Sequence, residues 1–389
     1  MNSGKTVFSQ LMDLVPWHDF YKCVRRYDGD YRVRSLGCRD QFLAMAFGQL
    51  TFRESLRDVV TCLGCRSRQL YHMGFRGRIH RSTLAEANEK RDWRLYHDFA
   101  MCLIGVARDL YRDDPLGVDL DNLAYAVDST TISLCLAVFP WARYKRSLGA
   151  IKLHTVLDLR GSIPSFIDIT DGTVHDVNFL DHLLIEPGAF YVLDRGYLDY
   201  ERLYRIHQEG AFFITRPKSS YKFKRLYSRP VDKTTGLRYD QTVTLVSFYP
   251  RKRYPDNLRR IKYIDLVENR TLVFLSNSFA IDAIVVAELY RRRWQVELFF
   301  RWIKQHLRIR AFFGTSENAV HTQVWIAVAV YVLVAISRKR LHTELSLYQL
   351  LQILSLALFD KVPLVELVTQ QDLRVPEDQS HNQLSLFEF

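Results

Sequence analysis

Apolar positions recur at helical spacing through the first hundred residues and at strand spacing after them. Arg39–Leu50, Ser55–Leu63 and Ser82–Phe99 read as helices. In the last, Thr83, Leu84, Ala87, Arg91, Leu95 and Phe99 keep one face, and Ser82 stands where an N-cap is expected. After Pro115 the period shortens. Ala124–Leu134, Ile151–Leu159, Ser165–Thr170, Ala189–Leu193 and Ala211–Thr215 read as strands, with helices over Asp176–Leu184 and Asp199–Gln208. A three-strand meander followed by helix, strand, helix and strand is an α/β order with a mixed sheet. Thr242–Phe248 and Thr271–Leu275 add strands. Ile281–Leu307 then runs as one helix without Gly or Pro, helices follow over Asn318–Arg340 and Leu345–Asp360, and the chain turns polar from Gln370.

These changes divide the chain into a helical basic segment (1–115), a first part of an α/β core (116–215), a basic β insertion (216–276), a second part of the core (277–340), and a C-terminal helix with a flexible tail (341–389). The 389 residues, 48% hydrophobic, suffice for two or three domains. Val324–Ile336 is the longest apolar run and falls short of the ~20 residues that cross a bilayer, so it reads as a buried helix. Met1–Trp17 lacks the apolar core of a signal peptide. Cys62 and Cys65 form a CxxC with no second pair, which reads as reduced thiols rather than a zinc site.

Charge sharpens the division. The chain carries a net +11, which points to a polyanionic partner. Arg216–Lys262 holds 14 Lys/Arg against 3 Asp/Glu, matching the excess of the whole chain. Aromatics interleave there: Tyr221, Phe223, Tyr227, Tyr239, Phe248, Tyr249, Tyr254 and Tyr263. A charge run alone describes a solvated face; cations mixed with aromatics across a β unit fit a nucleic-acid backbone, with Lys222, Lys224, Arg225, Arg251, Lys252 and Arg253 as contacts. Lys22–Arg94 has 16 Lys/Arg against 8 Asp/Glu, and Arg66, Arg68, Arg76, Arg78 and Arg81 precede the helix expected from Ser82. A basic arm leading a helix into DNA has this form, with Arg76, Arg78 and Arg81 as contacts. Base readout and contact with phosphates alone both remain open.

The helix Ile281–Leu307 carries the candidate chemistry. At about 100° per residue, Tyr290, Arg293, Glu297 and Lys304 fall within roughly 60° of one another. Large apolar residues flank this stripe on both sides, with Trp294, Leu298 and Trp302 on one of them. A solvated Arg–Glu pair is the plainer reading; a carboxylate and its cations in a walled groove is the functional one. Two further acids stand on strands: Asp128 in AVDSTT and Asp194 in VLDRGY. Each alone suits a turn or a cap. Together with Glu297 they form a set of oxygen donors suited to a hard divalent cation, and two such ions can run in-line phosphoryl transfer.

Tyr290, Arg293, Glu297 and Lys304 match the Y-x-x-R-x-x-x-E-x-x-x-x-x-x-K signature, and with the two aspartate segments the chain resembles the DDE transposases of bacterial insertion sequences, of the IS-four family. The resemblance implies a ribonuclease-H-like core interrupted by a β insertion, with an N-terminal all-α DNA-binding domain. It implies cut-and-paste DNA transposition: Asp128, Asp194 and Glu297 binding two Mg²⁺ ions (or Mn²⁺), strand cleavage, a hairpin, and transfer of the 3′ end to target DNA. Tyr290, Arg293 and Lys304 would grip end phosphates. The expected partners are double-stranded DNA and a second copy in a synaptic homodimer, in the bacterial cytoplasm at the nucleoid and not at a membrane. A cleavage-inactive DNA-binding regulator derived from a transposase is the alternative.

Some members of that family stack a flipped base on a Trp in the insertion. None lies in Arg216–Leu275 here, so Phe248, Tyr249 and Tyr254 are the candidates, with Trp294 beside the stripe as another. Trp294 is expected as a packed core residue first. His175–Asp176 reads as a strand-to-helix turn with Asp176 as cap. In the tail, Gln383, Leu384, Leu386 and Phe387 resemble the short Q-L-x-L-F motif that docks on the replication sliding clamp.

Overall fold

The computed structural model describes residues 4–145, 148–265, 269–306 and 312–369, and the tail motif Gln383–Phe387 lies outside them. The chain divides into two compact units: Met1–Val106, His306–Gly314 and Asn318–Phe389 form one, and Ala107–Gln305 with Thr315–Glu317 form the other.

The first unit is helical. Cys38–Leu50 is buried along nearly its whole length, and Ser55 caps Leu56–Cys65 by accepting from the Asp58 N–H at 3.2 Å. The expected single helix over Ser82–Phe99 is two, Arg81–Lys90 and Arg94–Tyr111. Arg91 leaves the helix with φ −73° and ψ 134°. Asp92 Oδ1 accepts from the Arg94 N–H at 2.9 Å and opens the second helix. Ser82 is not the cap; His80 holds that position and makes no side-chain cap bond.

Glu317–Arg340 is apolar on every face. It is long enough to cross a membrane by composition, but its apolar window is wholly buried inside the protein, as in a core helix. By contacts residues from Asn318 onward group with the N-terminal helices, whereas the sequence division puts 277–340 in the catalytic core. A helix without a polar face needs neighbours all round.

Among the described residues the second unit is built on one sheet of ten strands: β1 (Ala124–Leu134), β2 (Arg143–Lys145), β3 (Leu148–Asp158), β4 (Ile163–Asp171), β5 (Phe190–Leu193), β6 (Phe212–Thr215), β7 (Phe223–Arg229), β8 (Leu237–Leu245), β9 (Leu258–Asp265) and β10 (Arg270–Ser276). The order runs β2-β3-β1-β5-β6-β10-β9-β8-β7, with β4 also on β3. Within it, β4-β3-β1 pair antiparallel and β1-β5-β6 pair parallel. That is the ribonuclease-H-like core expected from the sequence. One face of β1, β5 and β6 is covered by Phe179, Leu180, Leu203 and Ile206.

The insertion does not stand apart from this core. β10 pairs with β6 through Leu275↔Thr215 and Ser276↔Ile214, so β7–β10 prolong the same sheet antiparallel. The charged strands β7 and β9 escape a reading that looks for apolar runs. The strand expected over Thr242–Phe248 ends at Leu245, and Phe248 opens a short helix, Phe248–Arg253. Before β8, Gly236 takes φ +94°, and a Cβ there would lie 2.5 Å from the Ile264 carbonyl oxygen. Buried Arg259 on β9 grips Asp240 on β8 with two bonds of 2.9 and 2.8 Å. It also donates to the carbonyls of Ser278 and Ile281 at 3.3 and 2.6 Å. The fork thereby ties the insertion to the loop that launches the next helix.

That helix is interrupted. Ala283–Arg292 and Trp294–Arg301 are α-helical and meet at Arg293, where the chain tightens into i→i−3 bonds (Arg293 N–H to Tyr290 O 3.2 Å, Val296 N–H to Arg293 O 3.1 Å). Trp302–His306 then widens into a π-helix. The helix expected over Asp176–Leu184 is a shorter 3₁₀ helix, Asp176–Asp181.

Candidate active site

Two adjacent parallel strands aim the aspartates. β1 and β5 pair up to Val127↔Leu193, so Asp128 and Asp194 are the next residue on each. Neighbouring strands lie about 4.8 Å apart. Asp194 leaves the sheet as N-cap of the short helix Arg195–Tyr197, accepting from the Gly196 N–H at 3.2 Å. Glu297 arrives on Trp294–Arg301, which packs on β1.

Arg293 joins the helix to the strand. Its Nη1 donates to Asp128 Oδ2 at 2.8 Å and its Nη2 to Glu297 Oε1 at 2.8 Å, with 14% of the side chain exposed. Burial pushes the Asp128 carboxyl up to about 6, against the pull of Arg293 and the Ser129 N–H, and Asp194 and Glu297 add to the rise. Asp128 therefore feels both other acids, and one guanidinium holds two of the three. Among the described residues no three acidic or His/Cys side chains converge closely enough to hold an ion as they stand. The donor set nonetheless suits one: all its ligating atoms are carboxylate oxygens, with three negative charges against one fixed cation.

The other stripe residues differ in exposure. Tyr290 is 9% exposed, packs on Phe274 at 5.0 Å, and lies with its ring 5.8 Å from the Arg293 guanidinium. Burial raises its hydroxyl above the ordinary range. Lys304 Nζ donates to the Thr131 carbonyl on β1 at 2.8 Å. The flanks are unequal. Val296, Phe300 and Ile303 are core, while Trp294 and Leu298 are 46% and 45% exposed, so Trp294 is open to solvent rather than a packed core residue.

Behind Asp128, on the opposite face of β1, lies a network that the sequence reading missed. Ser129 Oγ donates to Asp176 Oδ1 at 2.7 Å, and Lys152 Nζ donates to the same oxygen at 3.1 Å and to the Val174 carbonyl at 2.6 Å. Asp176 is thus a partner of Ser129 and Lys152; it does not cap a helix, a position His175 occupies without a side-chain bond. The signal was present in the alternation of β1 and β3, whose register sets Ser129 against His154 and Thr131 against Lys152.

In the insertion, Lys222, Lys224, Arg225, Arg251, Lys252 and Arg253 are all exposed. Lys224 and Arg225 lie on β7, the end strand of the sheet, where charge also discourages edge pairing. Phe248 and Tyr249 are each 74% exposed and meet edge to face at 5.5 Å, whereas Tyr254 is fully buried against His207 and cannot stack a base. Arg76, Arg78 and Arg81 are exposed in the helical unit.

Strand order and acid positions define a ribonuclease-H-like domain with one carboxylate on a central strand, one just past the end of the neighbouring strand and one on the helix against them. The Transposase DDE domain family matches residues 120–333, and the chain belongs to this family of DDE transposases, enzymes that act on DNA in transposition. Residues 3–76 match a Domain of unknown function (DUF4372). The chain is 33% identical over 283 residues to "Putative transposase y4zB" of Sinorhizobium fredii, covering 72% of this chain and 77% of that one. It is 32% identical over 211 residues to "Probable transposase for insertion sequence element IS5377" of Geobacillus stearothermophilus, covering 53% and 54%. A "Putative transposase for insertion sequence element IS4SA" of Synechocystis is 21% identical over 65% of this chain and 70% of its own. A solved piggyBac transposase synaptic complex with hairpin DNA aligns at a TM-score of 0.46 and 12% identity over 95% of this chain and 82% of that chain, too loose to decide the fold.

Proposed function

We propose that this chain moves an insertion sequence by cut-and-paste transposition, with Asp128, Asp194 and Glu297 as its catalytic acids. The observation that carries the reading is the bridge from Asp128 through Arg293 to Glu297, with Asp194 next to Asp128 on the neighbouring strand. Two Mg²⁺ ions (or Mn²⁺) held by the three acids would supply Lewis-acid stabilisation and an acidified water. The chain's own groups do the rest. In the first step a water oxygen bonds to phosphorus and the bond to the 3′ oxygen breaks, leaving a 3′-hydroxyl. That hydroxyl oxygen bonds to phosphorus on the opposite strand as the bond to the flanking 3′ oxygen breaks, closing a hairpin and releasing the flank; water then cleaves the new bond, and the regenerated 3′-hydroxyl attacks a target phosphorus and displaces a 3′ oxygen there. Arg293 and Lys304 orient the charged backbone across β1. Tyr290, largely buried, acts as the packed wall beneath it.

The insertion brings DNA to this surface, and Phe248 with Tyr249 is the platform for an unstacked base, with Trp294 as a second surface at the site itself. Two copies act together on paired ends, at the nucleoid, and the Gln383–Phe387 motif offers a contact with the sliding clamp, which pulldown with and without those residues decides.

The test uses duplex DNA from the flanks of the gene. Incubated with the protein and Mg²⁺, ends bearing inverted repeats should be nicked, converted to hairpins and released. Binding without any nick would favour the DNA-binding regulator instead. The Phe248→Ala/Tyr249→Ala variant should still nick but yield about tenfold less hairpin, since base–aromatic stacking contributes about 1–3 kcal/mol per base. Unchanged hairpin yield on a denaturing gel would remove these rings from the mechanism.

A further inference from the structure

The segment Arg66–Arg81 holds five arginines and no acidic residue. All five are exposed, and among the described residues none forms a salt bridge. Five guanidiniums without a salt bridge in sixteen residues, one of them (Arg66) lying over the Phe359 ring at 5.3 Å, repel one another unless a polyanion covers them.

The centre of the segment has a particular shape. Phe75 and Ile79 are 2% and 4% exposed, while Arg76, Gly77 and Arg78 between them are in solvent. The Arg76 N–H donates to Asp40 Oδ1 at 3.3 Å, so the backbone is anchored while the side chain is exposed and makes no salt bridge among the described residues. A Cβ on Gly77 would meet nothing within 4 Å, so no packing within the chain demands glycine there. The result is a short span pinned at both ends, narrow in the middle, with an arginine on each side of a residue that has no side chain. A cavity of about 520 Å³ lined by Lys5, Tyr71, His72 and Arg76 opens beside it.

Narrow minor grooves of A·T tracts concentrate negative potential, and arginine enters them more readily than lysine because its charge is less strongly hydrated. An extended arm in that groove leaves the helix that follows, here Arg81–Lys90, free for the neighbouring major groove. We propose that Arg76 and Arg78 enter the minor groove of A·T-rich duplex DNA, with Gly77 letting the backbone approach the groove between them. The proposal rests on the transposase reading above and assigns part of its end recognition to the helical unit.

The full chain without divalent ions is titrated against alternating dA·dT, dG·dC and dI·dC duplexes of equal length. The dI·dC duplex presents the minor-groove pattern of A·T, because inosine lacks the 2-amino group, and the major-groove pattern of G·C. The dA·dT and dI·dC duplexes should bind within about twofold of each other and about tenfold more tightly than dG·dC. Arg76→Ala/Arg78→Ala should erase that preference without moving the thermal midpoint, and Arg76→Lys/Arg78→Lys should erase it while keeping most of the affinity. If dI·dC behaves like dG·dC, or if the alanine pair weakens all three duplexes equally, minor-groove readout is wrong and the arm touches only phosphates. Binding without preference by the unaltered chain overturns this proposal alone. Failure to bind any duplex overturns the transposase reading with it.

Discussion

Glu297→Gln should lower strand cleavage by about a thousandfold while leaving end binding within about twofold. Glutamine keeps the length and one carbonyl oxygen of the side chain but removes its negative charge, and a neutral amide is a poor ligand for a hard divalent cation. Losing about 4 kcal/mol of transition-state stabilisation corresponds to about a thousandfold in rate. Folding should survive, because Arg293 keeps its 2.8 Å bond to Asp128 and can still donate to the amide oxygen at the same position. Binding should survive because the exposed cations of the insertion and of Arg76–Arg81 lie elsewhere on the chain. Gel shift and single-turnover cleavage on the same end duplex separate the two quantities. Cleavage within tenfold of the unaltered protein would remove Glu297 from the acid set and with it the three-acid reading.

What the sequence disclosed follows from how local each feature is. β1 was legible end to end because its alternation and its acid lie in one run of eleven residues. The glutamate helix was legible as a spacing, since Arg293 and Glu297 do face each other one turn apart. Its interruption was not, because a tightened turn at Arg293 and a π-helix after Arg301 leave no Gly or Pro in the sequence. β7 was missed because a strand at the sheet's end buries little, and its exposed Lys224, Arg225, Leu226 and Tyr227 show no buried face. The union of insertion and core depends on β10 pairing with β6, some sixty residues apart in the chain, and no local pattern encodes that. The split at Arg91 could have been found: Asp92, two residues before Arg94, is a helix-start signal inside an otherwise amphipathic run.

Arg293→Ala tests the other half of the site, with stability as the readout. In the structure Arg293 is a counterion to two partly buried carboxylates, and Asp128 lies with a carboxyl raised to about 6 even in its presence. Removing the guanidinium leaves Asp128, Asp194 and Glu297 facing one another with that charge gone, a change that costs about 3–5 kcal/mol for a fully buried pair. Here 20% of Asp128 and 33% of Glu297 are exposed, so water screens part of it and about 2–3 kcal/mol is the expected loss in metal-free buffer. A divalent cation bound by the same acids supplies positive charge where the arginine was, and a ligand that binds only the folded chain stabilises it by mass action. Millimolar Mg²⁺ should therefore stabilise the alanine variant more than it stabilises the unaltered protein, closing part of the gap in urea denaturation. Cleavage should still fall, because Arg293 has a second task in orienting the DNA backbone once metal takes over the carboxylates. An equal loss of stability with and without Mg²⁺ would mean that Arg293 and the metal do not share these acids, and that the bridge between Asp128 and Glu297 is architectural only.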